Sequence, residues 1–294
     1  MTEVARTRPL HSLTVTADRV WPALFTMLAF VALFHTALAT LARDWWSDPD
    51  AGHGLLLAPV ALWLAWRRGL LPDRVPQPRL GATLLVAAIA LRYVAGLAAE
   101  LFTLRFSLVA ALAALVVFYF GYRQLLHWWL PATLLVLAVP LPSVVLSSLA
   151  LPLQLQASQF GAAMLESRHV PVLLTGNVIH LPGRSLFVTE ACSGLRSLTS
   201  LVALGVLIGG MWLRTPTLRV LIVLLALPIA MLLNGVRIFL TGFLVYFVDP
   251  KLGDGLMHYT EGWAMFVVAF VLLGAMAWLL THAEQLYFQR KAAA

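Results

Sequence analysis

The sequence predicts an all-α polytopic membrane protein, with about eight transmembrane helices in one bundle and an amphipathic helix and small hairpin on the outer face. Composition leads to this reading. Hydrophobic residues make up 61% of the 294 residues and charged residues 11%, against ~45–50% and ~25% in soluble domains. So few charges cannot clothe a soluble domain of this length, and the same numbers exclude disorder, a collagen-like repeat and a coiled coil. Pattern supports composition: the apolar residues fall in runs approaching the ~20 residues that cross a bilayer, and cations sit in pairs between the runs.

The runs cover roughly 21–41, 54–66, 80–98, 103–121, 128–145, 194–213, 218–247 and 259–281. Residues 1–20 are too polar for a signal peptide and no small-residue cleavage site clearly follows, so the first run reads as an uncleaved anchor. The second is short and starts in the Gly52-His53-Gly54 turn. With both termini in the cytoplasm, the inner side carries twelve of the 20 cations and four of the 13 carboxylates, a net of +8. The outer half carries the rest, a net of −1. This is the positive-inside asymmetry, and a miscount by one helix would scramble it. Scattered cation pairs are also not a phosphate-binding stripe, so the overall charge of +7 does not indicate nucleic acid. From Glu284 on, Glu-Gln-Leu-Tyr-Phe-Gln resembles a tag-protease site. Residues 1–283 are accordingly read as one transmembrane domain and 284–294 as a tail.

The stretch 140–189 is not a clean span. Between Ser143 and Glu166, the polar residues Ser147, Ser148, Gln154, Ser158, Gln159 and Glu166 fall on about a third of a helical wheel, the pattern of an interfacial amphipathic helix. Val172-Leu173-Leu174-Thr175 and Leu186-Phe187-Val188-Thr189 are β-prone, with Pro182-Gly183 between them, which reads as a hairpin or curled loop.

Cys192 is the sole cysteine, which excludes an internal disulfide and multi-cysteine metal sites. It opens the run 194–213, with Arg196 one turn later and Ser193-Gly194 between them. A helix N-terminus and a nearby cation favour the thiolate; the other reading is a packed apolar cysteine. Arg237, in Leu233-Asn234-Gly235-Val236-Arg237-Ile238, lies ~28 Å along its run, near the outer surface. An Arg there faces a partner or cavity, or snorkels to headgroups. Asn234 and Gly235 indicate close helix contact. His258 begins the last span, also at the outer boundary, as a structural interfacial residue or as a base titrating near neutrality. The topology brings thiol, guanidinium and imidazole to the ends of three successive helices. These are the parts of a cysteine acyl-transfer site.

On the same side, residues 44–54 place Asp50 and His53 either at a lip that orients substrate or in a solvated turn with an aromatic belt. His53 with Asp48 and Asp50 supplies too few ligands for a transition metal, so neither metal nor cofactor is expected. Glu190 and Arg196 form either a local ion pair or a substrate-positioning pair.

Three motifs carry a resemblance. Ala191-Cys192-Ser193-Gly194-Leu195-Arg196-Ser197-Leu198, Asn234-Gly235-Val236-Arg237-Ile238, and His258 with Gly262-Trp263 look like the nucleophile, arginine and histidine motifs of the exosortase family. That family comprises bacterial inner-membrane cysteine transpeptidases and is similar to the archaeosortases. The 50–63 region and Gly176-Asn177-Val178-Ile179-His180-Leu181-Pro182 resemble further family segments. Ala51 departs from the Tyr-Ser pair that often precedes His-Gly in the family. The resemblance implies exported substrates that end in a Pro-Glu-Pro-like motif, a membrane helix and a basic cluster. Such a sorting tail would be cleaved on the periplasmic side through a thioester at Cys192 and passed to an acceptor that the sequence does not identify. Besides these tails, membrane lipids are the partners expected. The alternatives are a transporter or lipid-binding protein that uses Arg237 as an anion or headgroup site, and a chaperone that holds membrane tails without reacting with them.

Overall fold

A computed structural model describes residues 17–48, 50–188, 195–249 and 255–293 and is 79% helical. The helices are α1 (Ala17–Ser47), α2 (Gly54–Arg68), α3 (Pro78–Leu97), α4 (Leu101–Phe120), α5 (Tyr122–His127), α6 (Trp129–Leu137), α7 (Ser143–Glu166), α8 (Leu195–Trp212), α9 (Pro216–Phe247) and α10 (Gly255–Ala293). Among the described residues, five helical stretches are long and apolar enough to cross a membrane: Leu24–Ser47, Pro78–Leu97, Leu101–Phe120, Pro216–Phe247 and Trp263–Ala292. Leu198–Trp212 is apolar but shorter. The protein is a helical membrane protein.

Two sequence expectations change and one is met. The run 128–145 is not one rod: the helix breaks at Trp128, α6 stops at Leu137, and Val139-Pro140-Leu141-Pro142 follows. Its two prolines lack N–H donors and push the preceding residues out of helical geometry. The second helix, α2, is short as expected, with 15 residues, or ~22 Å, against ~30 Å of hydrocarbon. And α1 continues to Ser47, so Asp44, Trp45 and Trp46 are helical rather than part of a turn.

Specific polar contacts order the ends. Buried Gln124 accepts the Leu71 N–H (2.8 Å) and donates to the Gly69 carbonyl (3.2 Å), which also receives the Trp128 indole N–H (3.0 Å). Arg68 and Arg219 both lie over the Trp129 ring, 5.8 and 5.0 Å from its centre. The buried Glu284 carboxylate accepts the Arg214 N–H (3.0 Å), the Thr215 N–H (2.6 Å) and the Thr215 hydroxyl. It thereby caps α9, whose first turn begins with Pro216. Thus the connections around residues 69, 128 and 214 and the far part of α10 meet at one end of the bundle. The basic residues that the sequence reading assigns to the inner side, Arg67, Arg68, Arg214 and Arg219 among them, gather at that end. Glu284, the head of the expected tail, is built into the helix packing.

Lipid offers apolar side chains no solvent to escape, so close packing of small residues has to hold such helices together. Ala61, Ala111, Ala226 and Ala277 are fully buried. Beside this packing, one ion pair joins α1 to α4: Arg105, buried, donates to Asp44 at 2.6 Å.

At the other end, β1 (Leu173–Thr175), β2 (Val178–Leu181) and β3 (Arg184–Phe187) form an antiparallel sheet in the order β1-β2-β3. The sequence reading had the outer two strands but not β2. Two tight turns create it. Gly176 (φ +62°) takes the first position of a two-residue turn, and Gly183 (φ +81°) follows Pro182 in the second.

The seventh helix has the predicted bounds, but its polar stripe does not all face outward. Ala150, Gln154, Ala157, Ser158, Gly161 and Leu165 form its buried face. Gly161 lies against Ile238 and Leu165 against Gly242. Both pairs are offset by 77 residues, so α7 runs alongside α9 in the same direction. Sheet and α7 share one core with the end of α9, through Ile179, Leu181, Leu165 and Ile238. A Cβ on Gly161 would sit 2.5 Å from Ile238 Cγ2 and 2.9 Å from its Cβ. Gly161→Ala should therefore cost about 1–3 kcal/mol, read as a lower thermal midpoint in detergent. An unchanged midpoint would show that α7 is not held against α9 at this point.

Candidate active site

Arg237 is half-buried on α9 and its carbonyl accepts the Thr241 hydroxyl (3.0 Å). The preceding Asn234-Gly235 pair explains how the turn is packed. A Cβ on Gly235 would run into the Phe160 ring of α7, so glycine is what lets the two helices close here. Buried Asn234 lines a narrow cleft with Leu153 and Ala157 of α7, Leu198 of α8, and Leu227, Ala230 and Met231 of α9. The cleft is apolar except at the Asn234 turn, directly below Arg237.

Helix register sets the level of the other residues. Gly205 lies against Val223 and Gly209 against Arg219. Both pairs of numbers sum to 428, so α8 and α9 are antiparallel and Leu195 is level with Leu233. Arg237 lies one turn, about 6 Å, beyond Leu195, at the end where the chain enters α8. In the same way Glu284 meets Thr215, a pair of numbers that sums to 499, and one core holds Ile222, Ala226 and Ala230 of α9 together with Ala269, Leu273 and Ala277 of α10. The register sets Arg237 level with Gly262 of α10, and His258 one turn, about 6 Å, farther out.

Of the sequence-predicted residues, Cys192 and Glu190 lie outside the described residues, and Cys192 precedes Leu195 by three positions. Arg196 and His258 fall in the first turns of α8 and α10, with their side chains outside the description. Arg237 and Asn234 are described in full.

His53 packs with Trp45 against the end of α6, while the Asp50 N–H donates to the Asp48 carboxylate (2.9 Å). The Trp45 indole N–H donates to the Ala138 carbonyl (2.8 Å), and His53 Nε2 is 3.2 Å from the Leu137 carbonyl. Trp45 and Ala138 share a core with Ala203 of α8. Ala203 is eight residues inside α8, about 12 Å from its start. The described contacts tie Trp45 and His53 to the end of α6 and to the level of the middle of α8. Burial lowers the His53 pKa, against the raising effect of the Leu137 and Asp50 backbone and of Asp48 and Asp50, so the imidazole is neutral at physiological pH. Among the described residues no three His, Cys, Asp or Glu side chains cluster as metal ligands.

Sequence reasoning missed the Arg105–Asp44 pair. The signal was an Arg early in an apolar run and an Asp near the end of another, since a membrane-buried Arg needs a partner at its own depth. It also missed Gln154 and Asn177. Nδ2 of Asn177 lies 3.4 Å from Gln154 Oε1 and 3.0 Å from the Val188 carbonyl. Their partners are remote in sequence, and no local pattern announces them.

No curated protein and no solved structure matches the chain. A family model described as transmembrane exosortase matches residues 45–275. That span runs from the end of α1 well into α10 and contains all three motifs. The chain belongs to the transmembrane exosortase family.

Proposed function

We propose that the protein is a cysteine transpeptidase of the bacterial inner membrane that removes C-terminal sorting tails from exported proteins on the periplasmic side. The observation that carries this reading is the family match over 45–275, which contains the chain's sole cysteine, Cys192, and Arg237 and His258 in the family's motif contexts. Helix register supports it, because α8 begins, Arg237 sits and α10 begins at one end of the bundle. The basic loops at the opposite end support cytoplasmic termini. The eight crossings we assign are α1, α2, α3, α4, α5 with α6, α8, α9 and α10, with the sheet on the outer side and α7 packed along α9.

In this mechanism His258 removes the Cys192 proton and the thiolate attacks the scissile carbonyl carbon. Arg237 binds the oxyanion as the C–O bond becomes single. The oxyanion collapses, the C–N bond breaks, and His258 returns the proton to the leaving amine. A thioester remains at Cys192. An acceptor deprotonated by His258 attacks it and regenerates the thiol. Glu190, Arg196 and Asn234 border this centre as supporting groups, and Asp50 and His53 are assigned to the substrate approach. Sorting tails whose own membrane helix lies in the bilayer would reach the centre from the lipid side.

Mass spectrometry of enzyme quenched during turnover with a tail-bearing substrate tests the proposal. An acyl adduct on Cys192 is expected, and processing without any adduct in single-turnover quenches would overturn it. His258→Ala should lower turnover most near neutral pH. Full recovery at high pH would confine His258 to deprotonating the thiol and exclude it as acid to the leaving amine.

A further inference from the structure

Asn177 sits in the turn between β1 and β2, where Asn is ordinarily a turn former. Here its polar groups reach elsewhere. Its carbonyl accepts the Val188 N–H at 3.0 Å, and its Nδ2 donates to the Val188 carbonyl at 3.0 Å and to Gln154 Oε1 at 3.4 Å. The sheet ladder ends at the Val178–Phe187 pair, so Val188 is the first residue past the sheet. Asn177 takes both backbone groups of Val188, whose side chain is buried. Four residues later in the sequence comes Cys192.

The other side of this clamp is anchored to the arginine. Gln154 is buried on the α7 face that packs against α9. Gly161 and Phe160 of the same helix meet Ile238 and Gly235, on either side of Arg237. Val188, Asn177, Gln154, α7 and the Arg237 turn thus form one continuous chain of contacts. Only an amide at position 177 serves it: Asp has the same size but lacks the N–H donors, and would set a carboxylate against the Val188 carbonyl.

We propose that Asn177 is a positioning residue which, through Val188 and Gln154, fixes the cysteine-bearing segment relative to Arg237. The proposal rests on Cys192 being the nucleophile. A displacement of about 1 Å in a reacting group can cost ~10²-fold in rate. Asn177→Asp, nearly unchanged in volume, should lower kcat about 10²-fold and change KM for the tail-bearing substrate little. The pH profile of Cys192 alkylation should move upward, because a thiol held less firmly near a cation is less acidic. If Asn177→Asp fails to fold, Gln154→Ala carries the test, with a several-fold lower kcat at unchanged KM expected. An unchanged kcat per folded molecule in Asn177→Asp, or in Gln154→Ala when that variant carries the test, would overturn the proposal, as would a lower yield of folded protein with the alkylation profile unmoved. A Cys192→Ala control separates the two levels. If that variant stays active, the nucleophile reading itself falls; if it is dead while the Asn177 variants turn over normally, only the positioning role falls.

Discussion

Turnover of a tail-bearing substrate should fall by at least ~10³-fold when Cys192 is replaced by Ala, with the variant still inserted and folded. The magnitude follows from the chemistry. Removing a covalent nucleophile abolishes the intermediate and leaves only what binding and oxyanion stabilisation achieve without it. The chain has one cysteine, so no second thiol can take over. In-gel processing of a tagged substrate in membranes reads the loss, and detergent-solubilised yield and thermal midpoint report folding. A transporter or lipid-binding protein would be nearly indifferent to this change, and a tail-holding chaperone would keep its complex. Retained processing would remove the transpeptidase reading.

Arg237→Lys has the second-largest expected effect, about 10²–10³-fold in kcat. The charge survives, but Lys offers a compact ammonium on a flexible stem where Arg offers a planar fork of five donors. At a half-buried helix position, the shorter head group cannot reproduce the direction of those donors. KM should change less than kcat, because the oxyanion exists only after attack. Near-wild-type turnover of the Lys variant would show that Arg237 supplies no more than a positive charge, as a headgroup site would.

What the sequence disclosed and what it hid differ in physical kind. Long apolar runs such as those of α3, α4 and α9 and the asymmetry of basic pairs are legible because the bilayer imposes length and charge rules on the primary sequence alone. The Pro182-Gly183 turn was likewise readable. The middle of the chain was not. Trp128 breaks a run that counts as apolar throughout, and hydropathy does not sense a break. The polar stripe of α7 suggested an outward face, but Gln154 and Ser158 point into the packing against α9 and the sheet, because Asn177, reached only through tertiary structure, satisfies Gln154. Asp50 and His53 lie in sequence near nothing that contradicts a role beside Arg237. Only the contacts of His53 with Leu137 and of Trp45 with Ala138 reveal where this segment packs. Arg237 itself was found by its cost: a cation deep in an apolar run stands out before any fold is known.

The most direct measurement is the proximity of positions 192 and 237. With Cys192 as the single native thiol, Arg237→Cys supplies a second, and bifunctional thiol reagents of graded length measure the gap in native membranes. A shared catalytic centre predicts efficient cross-linking with spacers of about 5–8 Å, the reach over which a guanidinium would contact an oxyanion beside the sulfur. Cross-linking only with spacers of tens of ångströms, or reaction of the two thiols from opposite sides of the membrane, would contradict it.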